Sequence, residues 1–233
     1  MTIEEYKKRV EKAKNIVFFG GAGVSTESGI PDFRSVDGLY RQKYEYPPEI
    51  MLSADFFRFH TDEFFKFYFD KMIYTDAKPN SAHIKLAEWE KAGKLKAVVT
   101  QNIDGLHQTA GSKTVYELHG SVHRNRCIRC GKKFTLDEVL AQKPSVPRCG
   151  CGGVIKPDVV LYGESLPERT VGDVIEAIAT ADMLIVGGTS LAVYPAAGFI
   201  RYFNGSPDNL IVINKSVIPG FDNQLNGPLG ELL

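Results

Sequence analysis

The chain has 233 residues, 43% of them hydrophobic and 24% charged, with 28 Lys+Arg balanced by 28 Asp+Glu for a formal net charge of zero. At roughly 150 residues per domain this allows one large domain, or one with a smaller partner, and the apolar content excludes disorder as the global state. The neutral balance argues against nucleic acid as the main partner, because such binding draws on excess positive charge.

At the N-terminus, Thr2 and Glu5 fit a capping box, and Ile3, Tyr6 and Val10 follow on one helical stripe. This acidic opening lacks the apolar core and cleavage site of a secretory leader. Residues 15–19 read as a buried strand, followed by a glycine-rich turn over 20–23. Residues 53–74, dense in Phe and Tyr, read as helical and as the source of a small hydrophobic core. An apolar groove for a ligand or a long acyl chain is the alternative. Residues 80–92 predict a helix with Asn80 as its cap and Gly93 as its stop. Residues 94–100 and 114–118 read as strands. Residues 121–156 change character, being basic, Cys-bearing and rich in Gly and Pro. Beyond them come a short apolar run (158–161), a helix (167–180), a strand (182–186), a helix (194–203) and a strand (209–213). No charged residue falls in 183–200, but Gly187, Gly188, Thr189, Ser190 and Pro195 interrupt the stretch, so no membrane span is expected. A reducing, cytoplasmic compartment is the expectation.

Strands alternate with helices at both ends of the chain. That rhythm predicts an α/β fold, a doubly wound, Rossmann-like parallel sheet covered on both faces. Residues 1–34, 75–120 and 157–233 would form this domain. Residues 35–74 and 121–156 would form a second, smaller domain, helical and zinc-binding.

The turn after the first strand reads Gly20-Gly21-Ala22-Gly23-Val24-Ser25-Thr26. Its glycines would let backbone approach a pyrophosphate, and a helix N-terminus behind them would offer free N–H groups. The full dinucleotide fingerprint asks for Gly or Ala where Thr26 stands, so an ordinary strand-to-helix turn stays open. Cys127-x-x-Cys130 and Cys149-x-Cys151 carry all four cysteines. Four thiolates close a tetrahedral zinc shell and leave no open position for catalysis. The second pair has one intervening residue where two are usual, but Gly150, Gly152 and Gly153 permit a tight turn. Disulfides or free thiols are the alternatives, and His123 is a minor candidate to replace a thiol. Arg124, Arg126, Arg129, Lys132 and Lys133 flank the first pair and read as a solvated face rather than a nucleic-acid surface.

His119 follows a predicted strand and precedes Gly120. Functional crevices form at the carboxyl ends of parallel strands, and an imidazole there can accept a proton near neutral pH. His60, His83, His107 and His123 read as surface or satisfied structural histidines. Asn102 and Asp104 also follow a strand; their plain alternative is loop and helix-cap chemistry. Phe33 and Arg34 could be a packing pair.

The stretch Gly21-Ala22-Gly23-Val24-Ser25-Thr26-Glu27-Ser28-Gly29-Ile30-Pro31-Asp32-Phe33-Arg34 resembles the signature of the sirtuins, the NAD-dependent protein deacylases. So do Thr100-Gln101-Asn102-Ile103-Asp104, Leu118-His119-Gly120, Lys156-Pro157-Asp158-Val159-Val160-Leu161-Tyr162-Gly163-Glu164, Gly188-Thr189-Ser190-Leu191 and Ile213-Asn214-Lys215. They occur in family order over nearly the whole chain. Tyr162 departs from the pattern, standing where the family often has Phe.

The resemblance implies a protein lysine deacetylase that consumes NAD, carries a structural zinc, and acts on acetyl-lysine proteins or peptides. It transfers the acetyl group to ADP-ribose and releases nicotinamide. The oligomeric state stays open. By the same resemblance, His119 would deprotonate a ribose hydroxyl and Asn102 would position ribose and water. Asp104 and the Ile103 backbone would hold the nicotinamide carboxamide, with Phe33 as a lid against water and Arg34 as anchor of its loop. Ala22 and Thr26 would lie near the phosphates, and Gln101, Ser190 and Asn214 on the ribose and adenosine side. Gly23, Asp32, Gly188, Thr189 and Lys215 complete the expected cofactor set. The peptide would lie extended between Gly163-Glu164 and residues 191–193, including Val193, by β-augmentation. Val160 would line the acyl-lysine tunnel, to which Tyr162 adds a hydroxyl. Relatives that prefer acidic acyl groups carry Tyr-x-x-Arg; the nearest match, Tyr68-Phe69-Asp70-Lys71, ends in a lysine that cannot grip a carboxylate bidentately, so acetyl is expected over succinyl. The alternatives are another lysine deacylase or a mono-ADP-ribosyltransferase on the same NAD site, a dehydrogenase, and a non-catalytic zinc module that binds nucleic acid.

Overall fold

The computed structural model describes residues 1–33 and 46–233; Arg34 lies outside the described residues. Thr2 and Glu5 close the expected capping box on α1 (Ile3–Lys12), which buries Tyr6 and Val10. The fully buried β1 (Ile16–Gly20) follows. Next come α2 (Pro48–Met51), α3 (Ala54–Phe59), α4 (Thr61–Lys71), α5 (Ser81–Lys91), β2 (Leu95–Thr100), α6 (Leu106–Ala110) and β3 (Val115–Glu117). The cysteine-bearing insert holds β4 (Gly120–Cys127), β5 (Lys133–Thr135), α7 (Leu136–Leu140) and β6 (Ile155–Val159). The chain ends with α8 (Glu168–Thr180), β7 (Met183–Gly187), β8 (Leu210–Asn214), β9 (Gln224–Asn226) and α9 (Leu229–Leu232).

The main sheet is parallel throughout, in the order β3-β2-β1-β7-β8-β9. Strands before the insert run outward from β1 on one side and those after it on the other, so the order reverses between β1 and β7. A crevice opens at the carboxyl ends of the strands at such a switch point. Alternate side chains of β1 feed opposite faces, as a strand's period of two requires. Ile16 and Phe18 pack with Tyr6 and Val10 of α1 and Leu86 of α5, while Val17 and Phe19 pack with Val174 and Ile178 of α8. The sheet is therefore doubly wound, as expected.

A second, antiparallel sheet runs β5-β4-β6. It reaches from Gly120 to Val159, slightly beyond the expected 121–156. Phe56, Phe57, Phe64, Phe65 and Tyr68 share one buried cluster with Val122, Leu136, Val139 and Ile155 of this insert. The aromatic segment thus builds a core: Phe57 and Phe65 meet Phe64 edge to face, with centroids 5.0 and 5.3 Å apart.

Several expectations change. The helix expected over 53–74 is broken at His60, whose φ of −132° and ψ of 49° end α3 and open α4. The glycine turn leads not into an α-helix but into two 3-10 turns, Ala22–Val24 and Thr26–Ser28. The helix expected over 194–203 is a 3-10 segment, Ala196–Tyr202. Strand β9, with only Leu225 buried, was not anticipated. Among the described residues no helix is long and apolar enough to cross a membrane.

Candidate active site

Gly21 and Gly23 follow β1 and donate to Gly187 O (3.2 Å) and Gly188 O (2.8 Å) at the end of β7. Gly188 has φ +59°, and a Cβ there would sit 2.4 Å from Val24 N. The two turns approach so closely that only glycine fits, which leaves bare backbone at the switch point.

From β2 comes the loop Gln101-Asn102-Ile103-Asp104. Gln101 Nε2 donates to Thr189 Oγ1 (3.2 Å), tying it to the β7 turn. Asn102 Nδ2 donates to Ser25 Oγ (2.9 Å), and Ser25 Oγ donates to Asp104 Oδ2 (2.7 Å). Ser25 is fully buried. Asp104 Oδ1 also accepts from Leu106 N (2.9 Å) at the start of α6, the contact that its plain alternative reading describes. Val122 N donates to Ile103 O (3.0 Å) and His123 Nε2 to Asp104 O (2.9 Å), so the insert grips this loop from outside. His123 is thereby a loop anchor, not a spare metal ligand.

His119 lies in the turn between β3 and β4. Its Nδ1 lies 2.9 Å from Gln101 O. A carbonyl can only accept, so Nδ1 carries the hydrogen and Nε2 keeps the lone pair. Burial pushes the His119 pKa below the usual imidazole value, and the bond to Gln101 O partly opposes this. The neutral imidazole, the form able to accept a proton, is therefore favoured.

One cleft of about 780 Å³ collects the described candidate residues. Ala22, Gly23, Thr26, Asp32, Phe33, Gln101, Asn102, Ile103, Asp104, His119, Gly188, Thr189, Ser190, Asn214 and Lys215 all border it. So do Val160, Tyr162, Gly163, Glu164 and Val193. Lys215 Nζ lies 3.4 Å from Thr26 Oγ1. Tyr162 is joined to the aromatic helices through Ala54 N to Tyr162 O (2.9 Å) and Tyr162 N to Leu52 O (3.0 Å). Glu164 turns back on its own loop, accepting from Leu161 N (2.9 Å) and Lys156 Nζ (3.1 Å). Leu191 holds a left-handed φ of 51°, uncommon for a non-glycine residue.

Sequence reasoning missed Ser25 as a site residue, because its partners come from a loop distant in sequence. It also took His107 as a satisfied or surface histidine. His107 is 1% exposed, and neither ring nitrogen has a hydrogen-bond partner.

Away from the cleft, the Sγ atoms of Cys127, Cys130, Cys149 and Cys151 lie within 4.8 Å of one another. The pairs Cys127–Cys151 and Cys130–Cys149 are 3.5 and 3.7 Å apart, too long for disulfides. A tetrahedron with Zn–S of about 2.3 Å has edges of about 3.8 Å, so the four thiols fit a structural zinc site. Three flanking arginines are spent locally. Arg129 donates to Cys151 O (2.7 Å), Arg148 to Gly152 O (3.2 Å), and Arg124 pairs with Glu117 and Asp158.

The Sir2 family model matches residues 21–195. A protein of Clostridium acetobutylicum called NAD-dependent protein deacetylase is 61% identical, over 99% of this chain and 96% of its own length. One of the same name from Clostridium tetani is 54% identical over 100% of this chain and 96% of its own. A histidine-to-alanine variant of Sir2 solved with a deacetylated p53 peptide and 3'-O-acetyl ADP-ribose superposes with a TM-score of 0.90 at 38% identity, over 99% of this chain and 95% of that one. A Sir2 homologue solved with ADP-ribose gives 0.89 at 37% identity, over 100% of this chain and 93% of that one. By sequence and fold together, this chain belongs to the Sir2 family.

Proposed function

We propose that the protein is an NAD-dependent protein lysine deacetylase that transfers the acetyl group of an acetyl-lysine to ADP-ribose, with release of nicotinamide and free lysine. The observation that carries this reading is His119, whose Nδ1–H is committed to Gln101 O and whose Nε2 is left basic in a cleft shared with Asn102 and Asp104.

The cleft fits the dinucleotide. Its volume suits a ligand of that size, glycines without side chains form one wall, and polar groups gather at the end near Asp104. When bound, NAD supplies a glycosidic carbon that becomes electrophilic as nicotinamide leaves. Asp104 and the Ile103 backbone hold the carboxamide; Ser25 fixes the Asp104 carboxylate, and Asn102 in turn fixes Ser25. Phe33 keeps water from the reacting centre, with Arg34 as its anchor. His119 Nε2 accepts the proton of a ribose hydroxyl, and Asn102 orients ribose and the attacking water. Ala22 and Thr26 serve the phosphates, and Gln101, Ser190 and Asn214 the ribose and adenosine side. Gly23, Asp32, Gly188, Thr189 and Lys215 complete the cofactor set.

The substrate lies extended beside Gly163 and Glu164 on one side and Val193 on the other, with Val160 and Tyr162 along the acyl-lysine tunnel. Acetyl is preferred over succinyl. Tyr68 is buried in the aromatic core, and Lys71, which borders the cleft, pairs with Asp70 at 2.9 Å. Two lobes belong to the same proposal, residues 1–34, 75–120 and 157–233 against 35–74 and 121–156, as do a cytoplasmic location and the lack of a nucleic-acid partner. The buried cluster shared by residues 51–69 and 122–155 supports the smaller lobe, and Val159 and Leu161 join it from the other.

Incubation with an acetyl-lysine peptide, with and without NAD, tests the assignment. Deacetylation should require NAD and fall by at least about a hundredfold in His119→Ala. Activity without NAD, a fully active variant, or a lasting ADP-ribose adduct on the acceptor would overturn it.

A further inference from the structure

Asn80 does not border the cleft, yet its side chain faces two ways. Oδ1 accepts from Ala82 N (3.0 Å) and His83 N (3.4 Å) and so caps α5. Nδ2 donates to Val24 O (2.8 Å) and Ser28 Oγ (2.9 Å), the two ends of the segment that contains Ser25 and Thr26. The amide orientation is fixed by these partners, because a flip would set its oxygen against the Val24 carbonyl. The segment consists of two single 3-10 turns in place of a helix, held locally by Ile30 N to Ser25 O (3.2 Å) and Thr26 Oγ1 to Gly23 O (3.0 Å); Asn80 Nδ2 ties both of its ends to α5. Yet Ser25 must sit where its hydroxyl reaches both Asn102 and Asp104.

We propose that Asn80 is a positioning residue for the dinucleotide site. Its Nδ2 pins the 24–28 segment to the rigid start of α5 and thereby sets Ser25, and through it Asp104, in the arrangement that receives NAD. The role rests on the reading of this cleft as the NAD site. It is separable from helix capping because the two tasks use different atoms. Asp is as good a cap as Asn and offers no donor, and Ser caps through a shorter side chain that brings no second oxygen against Val24 O.

Asn80→Asp, Asn80→Ser and Asn80→Ala test it in the full-length protein. In the Asp and Ser variants, thermal unfolding should stay within a few degrees of wild type, and amide exchange in α5 should be unchanged. Exchange over residues 21–29 should accelerate several-fold in the ligand-free protein. Affinity for ADP-ribose should weaken about tenfold, the equivalent of losing the two donated bonds. KM for NAD should rise with it, while KM for the peptide holds. Asn80→Ala should lose both the cap and the tether. Unchanged exchange over 21–29 in both cap-keeping variants would overturn the role, as would ADP-ribose affinity within twofold of wild type. Wild-type protein that binds no ADP-ribose would overturn the cofactor reading and the role with it, however the exchange rates fall.

Discussion

A histidine with one nitrogen committed to a carbonyl can serve as a base only through the other, and only while neutral. At His119, burial lowers the pKa below 6.5 and the Gln101 carbonyl draws it back part of the way. The free enzyme should therefore show kcat/KM rising with pH through an apparent pKa below about 6.5, since this profile reports the essential base of the free enzyme. A pH series on the acetyl-peptide reaction checks this; a midpoint above about 7 would remove His119 as the base. Ser25 is a contrasting residue. Its place in the Gly21–Arg34 stretch assigns it no role by itself, because a serine in a glycine-rich turn has many ordinary uses. Its meaning comes from Asn102 and Asp104, which only the fold brings to its hydroxyl.

The elements legible in the sequence were those whose burial leaves no ambiguity. β1 and β7 are apolar along their whole length and covered on both faces, so their composition alone marks them as strands of a parallel sheet. β5 and β9, three-residue edge strands with at most one buried residue each, carry no apolar run that marks them. The break at His60 escaped for another reason. The aromatic pattern continues through it, so periodicity sees one helix where the backbone makes two. Gly120 joins the two sheets, and a Cβ there would lie 1.9 Å from Asp158 O at a φ of +76°. Gly131 has φ +73° with nothing within 4 Å. Gly131→Ala should therefore cost only the backbone strain, about 1 kcal/mol. Gly120→Ala should cost at least about 2 kcal/mol more and reduce turnover, because β4 must shift beside His119. Urea unfolding of both variants checks the difference; equal losses would mean that the β4–β6 approach is slack.

At the scale of the molecule, two features govern when the fold holds. The first is the four-cysteine knuckle. Cys127 and Cys149 are also members of the small core, so removing the metal withdraws support from Val139 and Ile155. Chelation or Cys127→Ala should expose residues 121–156 to protease while the parallel sheet survives; a knuckle still resistant without bound metal would contradict the zinc assignment. The second is a pair of buried imidazoles. His83 of α5 and His107 of α6 face each other at 4.7 Å, with Phe18 of β1 at 6.3 Å from His107. Burial pushes His83 down to about 4, against the pull of Asp104 and Glu27. His107 is pushed down to about 3 by burial and by His83. Both folded values lie below the unfolded value near 6.5, so below that pH the unfolded chain binds protons that the folded one refuses. The stability is whole above about 6.5 and drains as the pH falls towards 4. Between pH 7 and pH 5 each histidine should remove about 2 kcal/mol, and the pair about 4, against a typical total of 5–15. Urea midpoints measured at both pH values should fall accordingly. His107→Phe keeps the ring and deletes the proton site, and it should roughly halve the loss. A variant as acid-sensitive as wild type would mean that this pair is not what limits the fold at low pH.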